Sequence, residues 1–77
     1  MRSWERGLYQ KLVQFMEEGD ELVLRSDGRG DVYEYSSENR EGELRVRDNR
    51  ISIVGDIPNI ESYLVEAGYG KYLNSQV

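Results

Sequence analysis

The 77 residues include no cysteine and no histidine. Without thiols there is no disulfide to brace the fold, and no thiolate nucleophile or metal ligand. Without imidazole, Ser-His-Asp and Cys-His catalysis are excluded within one chain. A zinc site of the usual Cys and His type is excluded as well. Carboxylate-based chemistry remains open, as does binding, and the expected protein is not an enzyme and holds no cofactor or metal. Threonine is also absent, lysine occurs only at Lys11 and Lys71, and the single proline is Pro58. No apolar run approaches the ~20 residues that cross a bilayer, so no membrane partner is expected. Residues 1–16 carry charges throughout and lack the continuous apolar stretch of a secretory leader. With the missing cysteines, that fits a reducing cytoplasm, the expected location.

Charge is plentiful. Fifteen acidic residues face ten basic ones, for a net charge of −5. A negative mean argues against general nucleic-acid binding, which usually needs a basic footprint. The length implies a single domain over residues 1–77. Folding at this size buries only roughly 60% of the unfolded chain's surface. Self-association would add stability, and a homodimer is expected.

Trp4, Leu8, Leu12, Phe15 and Met16 recur at helical spacing, with Tyr9 and Val13 widening the stripe. They predict a helix over 3–18, capped by Ser3 and stopped by Gly19. Four strands are then predicted, at 21–26, 31–37, 42–48 and 50–55. Asp48-Asn49 suits a two-residue type I′ turn, which pairs Arg47 with Arg50, Val46 with Ile51 and Leu44 with Ile53. Gly28-Arg29 suits a type II′ turn, which pairs Leu24 with Tyr33 and Leu22 with Tyr35. A polar connection around Glu38–Glu41 is expected to place Tyr35 opposite Leu44 and Tyr33 opposite Val46. All the apolar partners then share one face, an agreement that a one-residue slip would destroy. Asp56 is expected to cap a second helix with Pro58 in its first turn, carrying Ile57, Ile60, Leu64 and Ala67. The fold class is therefore α+β, in the order α-β-β-β-β-α. It is a four-stranded antiparallel meander with two helices on one face.

On the other face these registers collect arginines at one end. Arg25, Val32, Arg47 and Arg50 would form one row, and Val23, Glu34, Arg45 and Ser52 the next. Glu21, Ser36, Glu43 and Val54 would form the third. Arg47 opposite Arg50 is mildly unfavourable, because like charges across a strand pair repel. Arg29 lies at the nearby hairpin tip. Arginine suits bidentate contacts to carboxylate or phosphate. The candidate partner-binding set is thus Arg25, Arg29, Arg45, Arg47 and Arg50. A solvated face with Glu34–Arg45 pairing is the ordinary alternative. Tyr69, Lys71 and Tyr72 form a secondary aromatic candidate patch.

Other motifs carry less. Arg29-Gly30-Asp31 is an adhesion tripeptide by letter, but the hairpin already explains its glycine. The stretch 68–73 contains Gly-x-Gly-Lys without the spacing or hydroxyl residue of a phosphate loop. The acidic runs Glu17, Glu18, Asp20, Glu21 and Glu38, Glu41, Glu43 do not fit a calcium loop. Such runs can also imitate a nucleic-acid backbone. The reading that results is a small acidic protein–protein interaction module, an inhibitor or regulator, with another protein as partner. The alternative is a nucleic-acid binder using Arg25, Arg45, Arg47 and Arg50. A small enzyme is the remaining, disfavoured class. The outer strands of the meander are the expected route to a homodimer.

Overall fold

A computed structural model describes residues 3–73 of the chain. Helix α1 spans Ser3–Phe15, and strands β1 Glu21–Ser26, β2 Asp31–Ser36, β3 Glu41–Arg47 and β4 Arg50–Gly55 follow. Helix α2 spans Ile60–Glu66, and a single 3-10 turn covers Gly70–Tyr72. The strands lie in the order β1-β2-β3-β4, all antiparallel, which is the expected meander. Among the described residues no helix is long and apolar enough to cross a membrane.

Both helices pack on the face where the apolar side chains alternate. Leu8 and Leu12 of α1, and Ile60 and Leu64 of α2, share one buried cluster with Tyr33, Tyr35, Leu44, Val46 and Ile51 of the sheet. Two further contacts join the helices. Phe15 and Tyr63 place their ring centroids 4.9 Å apart. The Tyr63 hydroxyl donates to the Lys11 carbonyl at 2.7 Å.

The two outer hairpins follow their turn chemistry. Asp48 and Asn49 both have positive φ, at 50° and 63°, the sign pattern of a type I′ turn. Leu44 pairs with Ile53, Val46 with Ile51, and Arg47 with Arg50. At the first hairpin Gly28 has φ of 85°, as a type II′ turn requires. Leu24 pairs with Tyr33 and Leu22 with Tyr35.

The central register differs from expectation by two residues. Tyr33 pairs with Leu44, Tyr35 with Gly42 and Asp31 with Val46. The turn closes early: the Ser37 N–H donates to the Arg40 carbonyl at 2.9 Å, leaving Glu38 and Asn39 at the tip. A two-residue shift preserves both faces, so alternation alone does not detect it. Packing selects the register. Gly42 opposite Tyr35 leaves room for the buried Ile57, whose Cγ1 would lie 2.5 Å from a Cβ at residue 42.

The helix ends are also revised. Helix α1 stops at Phe15 rather than residue 18, and a turn closes with the Asp20 N–H on the Glu17 carbonyl at 3.0 Å, with Gly19 at φ of 93°. Position 3 is already helical, so any residue capping α1 lies outside the described residues. Asp56 does not cap α2. Its backbone N–H bonds the Glu41 carbonyl, and its carboxylate faces Arg40 at 3.6 Å. Instead, Ile57-Pro58-Asn59-Ile60 makes a turn with Asn59 at φ of 64°, the Pro-Asn pattern of a type II turn. Helix α2 starts only after it.

Candidate functional site

The first and third turns bring Arg29, Arg47 and Arg50 to the same end of the sheet, with Arg25 and Arg45 just below. Because of the central register, the outward rows are rearranged. Arg25, Val32, Arg45 and Ser52 form one row, and Val23, Glu34, Glu43 and Val54 the next. Arg47 and Arg50 lie beyond both, and Arg47 falls level with Gly30 rather than Val32. The gradient from arginine to carboxylate survives: Glu21, Ser36 and Glu41 share the far row.

Three of the five arginines are engaged. The Arg25 Nε–H donates to Glu34 at 2.7 Å, and that hydrogen bond, with the Glu34 charge, raises the guanidinium pKa further above its ordinary value. Arg45 pairs with Glu43, not with Glu34 as expected, because Glu34 now faces Glu43 across the strands. These two ion pairs offset the like-charge opposition of the two glutamates. Arg47 reaches the Asp27 carboxylate. Asp27 in turn accepts from the backbone N–H groups of Arg29 at 3.0 Å and Gly30 at 3.2 Å. The Arg29 bond and the Arg47 guanidinium hold its carboxyl below the usual range. The Arg47 Nε–H is out of contact with solvent and has no acceptor among the described residues. Arg29 and Arg50 are exposed and make no ion pair among the described residues.

Val32 points outward, yet is only 1% exposed. It stands between Arg25 and Arg45 in its row, where the alkyl stems of two arginines can cover it while their heads stay wet.

The adhesion tripeptide dissolves into turn mechanics. Gly28 supplies the positive φ, and a side chain at Gly30 would overlap the Val46 carbonyl oxygen. Asp31 begins β2 opposite Ser26. The secondary patch is largely built into the core edge. Tyr72 stacks flat on Trp4, with centroids 4.0 Å apart at 5°, and Tyr69 lies 6.3 Å from Trp4. Burial raises the Tyr69 phenol pKa. Lys71 alone is exposed, with its Nζ 5.3 Å from the Tyr72 centroid. Gly68-Tyr69-Gly70-Lys71 follows helix α2 and offers no strand-to-helix phosphate loop.

Two features were not foreseen. Glu5 is 3% exposed, within the core, and accepts a hydrogen bond from the Tyr33 hydroxyl at 3.1 Å. Tyr33 is fully buried, so its hydroxyl bonds Glu5 rather than water. A tyrosine at the centre of an inward-facing strand needs a partner for its hydroxyl, and that was the available signal. Glu5 lies three residues before Leu8 on the buried side of α1. Second, an acidic cleft of about 530 Å³ opens between the end of α1 and the second turn, lined by Phe15, Glu17, Glu18, Asp20, Glu38 and Arg40 among others. Among the described residues, no group of three or more carboxylates is arranged to hold a metal ion.

Chemically, the arginine end can grip carboxylates or phosphates. In comparisons with known proteins, no family model, curated protein or solved structure matches the chain.

Proposed function

We propose that the protein is a protein–protein interaction module, an inhibitor or regulator, that docks an acidic surface of its partner onto the arginine end of its sheet. One observation carries the reading. Arg50 sits opposite Arg47, at the end of the sheet that also carries the exposed Arg29, on a chain of net charge −5. Like charges across a strand pair cost stability. Asp27 offsets the Arg47 charge, but Arg50 makes no ion pair among the described residues, and a carboxylate-bearing partner would supply one. Arg29 and Arg50 are the primary contacts, because neither is committed to an ion pair. Arg25, Arg45 and Arg47 would join only by sharing their present carboxylates.

The test is capture from a lysate of the source cells, with and without nuclease. The comparison variant is Arg29→Glu with Arg50→Glu, which leaves the Arg47–Asp27 pair at the first turn intact. Loss of a nuclease-indifferent protein from the variant's catch supports the module. Nucleic acid that disappears with the variant would transfer the arginines to the phosphate-binding reading. An identical catch from both proteins would remove the site. Contacts through exposed guanidinium groups also weaken with salt, because screening acts over ~8 Å at physiological ionic strength.

A further inference from the structure

The two edges of the sheet are not alike. On the β4 side Leu73 forms a parallel bridge with Ile51, so the end of the described chain covers part of that edge. On the β1 side, no strand among the described residues pairs with the free edge. Natural sheets usually blunt such an edge with proline, charged side chains, a bulge or a covering loop. The stretch Glu21-Leu22-Val23-Leu24-Arg25 has no proline and pairs with β2 without a bulge, its only charges sit at its two ends around three apolar residues, and five of the six β1 residues are exposed.

The direction of its free backbone groups follows from the turn. The Asp27 N–H bonds the Gly30 carbonyl, so Asp27 and Gly30 form a hydrogen-bonded pair. Alternation then turns Arg25 and Val23 toward β2, and the N–H and C=O groups of Leu22 and Leu24 outward. The side chains split the other way. Glu21, Val23 and Arg25 lie on the outer face, and Leu22 and Leu24 on the helix side.

We infer that β1 pairs antiparallel with β1 of a second copy about a two-fold axis through Val23, joining two sheets into one of eight strands. The charge pattern fits a second copy in one register. Glu21 of each copy meets Arg25 of the other, Val23 meets Val23, and Leu22 meets Leu24. The outward backbone groups of Leu22 and Leu24 then exchange hydrogen bonds across the axis. Sliding by two residues to place Leu24 opposite itself would set Glu21 against Asp27, which is repulsive. Sliding the other way sets Leu24 against Asp20, whose N–H is already bonded to Glu17.

The helix layer has the same symmetry. Tyr9 lies over Tyr33, with ring centroids 6.2 Å apart, and Tyr33 is level with Leu24. Val13 lies about 6 Å further along α1, close to the spacing from Leu24 to Leu22. Exposed Tyr9 and Val13 therefore straddle the same axis and would meet Val13 and Tyr9 of the second copy. The edge, its flanking charges and the exposed apolar stripe are thus all self-complementary about one point. The dimer would carry two arginine ends on one continuous face.

Sedimentation equilibrium of the full chain, with amide hydrogen exchange, tests this. The wild type should be a dimer in the micromolar range, with the Leu22 and Leu24 amides protected. Glu21→Arg or Arg25→Glu alone sets like charges together and should weaken the dimer at least tenfold. An equimolar mixture of those two variants makes every cross-axis pair opposite, and should recover a heterodimer within a few-fold of wild-type affinity. Val23→Arg should give a folded monomer with fast-exchanging Leu22 and Leu24. A wild type that stays monomeric at high micromolar concentration would overturn the inference. So would a Val23→Arg variant that remains dimeric, or a mixture that fails to associate while both components stay folded.

Discussion

Removing the Tyr33 hydroxyl tests how the core tolerates a buried carboxyl group. Tyr33→Phe keeps the ring and its contacts, but deletes the donor that reaches Glu5 at 3.1 Å. Hydrogen bonds to charged groups contribute about 1.5–3 kcal/mol. Glu5 is 3% exposed, so little solvent can replace the phenol. The expected destabilisation is therefore about 1.5–3 kcal/mol. That is a large share of the roughly 4–12 kcal/mol that ~0.05–0.15 kcal/mol per residue gives a chain of this length. Urea unfolding followed by Trp4 fluorescence and circular dichroism would measure it. Glu5→Gln and the double variant complete a cycle whose coupling should exceed ~0.5 kcal/mol. A Tyr33→Phe cost below that figure, with no coupling to Glu5, would refute the reasoning.

The same pair gives a pH dependence. Burial, then the Glu5 charge, raises the Tyr33 phenol above its ordinary 10.0. Above pH 10 the unfolded chain sheds this proton while the folded one keeps it. The contribution is complete below pH 10 and is lost above it at about 1.4 kcal/mol per pH unit, a slope that Tyr33→Phe should lack in urea midpoints across that range. Gly30→Ala should unfold or severely loosen the first two hairpins, because the new Cβ overlaps the Val46 carbonyl; circular dichroism melts would show it, and a melt unchanged from wild type would contradict the close approach. Asn49→Ala should cost about 1–2 kcal/mol by urea titration, since alanine resists the left-handed backbone that residue 49 adopts at φ of 63°. Arg29→Glu with Arg50→Glu should leave the unfolding midpoint close to wild type or raise it slightly, because exposed charges contribute ~0–1 kcal/mol and the Arg47–Arg50 repulsion is relieved.

Much of the fold was readable because two hairpins have turn residues that permit only one register each. Asp48-Asn49 and Gly28-Arg29 set their strand pairs, and the alternation of Leu, Tyr, Val and Ile set the buried face. The middle turn has no such residue. Glu38-Asn39 was placed one position late, and since that error shifts the pairing by two, every face stayed right while the neighbours changed. Gly42 held the missing information, as the small residue that lets Ile57 in opposite Tyr35. The helix ends were misjudged where local turns compete with capping. Pro58-Asn59 makes its own turn, so Asp56 is spent on the sheet rather than on α2. Glu5 was hidden because a glutamate in a helical stripe is ordinarily solvated, and its bond from the Tyr33 hydroxyl shows only once the sheet is in place. The arginine end was legible as a location, not as a set of partners. The register decides that Arg45 takes Glu43, and the fold of the first turn decides that Arg47 takes Asp27. Two guanidinium groups remain uncommitted where composition suggested five.

Those two groups allow the most direct test. Titration of a glutamate-rich peptide, followed by NMR of the arginine side-chain Nε–H groups, reports on each guanidinium separately. Saturable, salt-sensitive shifts at Arg29 and Arg50, lost in the Arg29→Glu and Arg50→Glu variant, are the predicted result. Peptide binding that leaves both groups unmoved, or no binding at low salt, would contradict the claim that this end of the sheet receives an acidic partner.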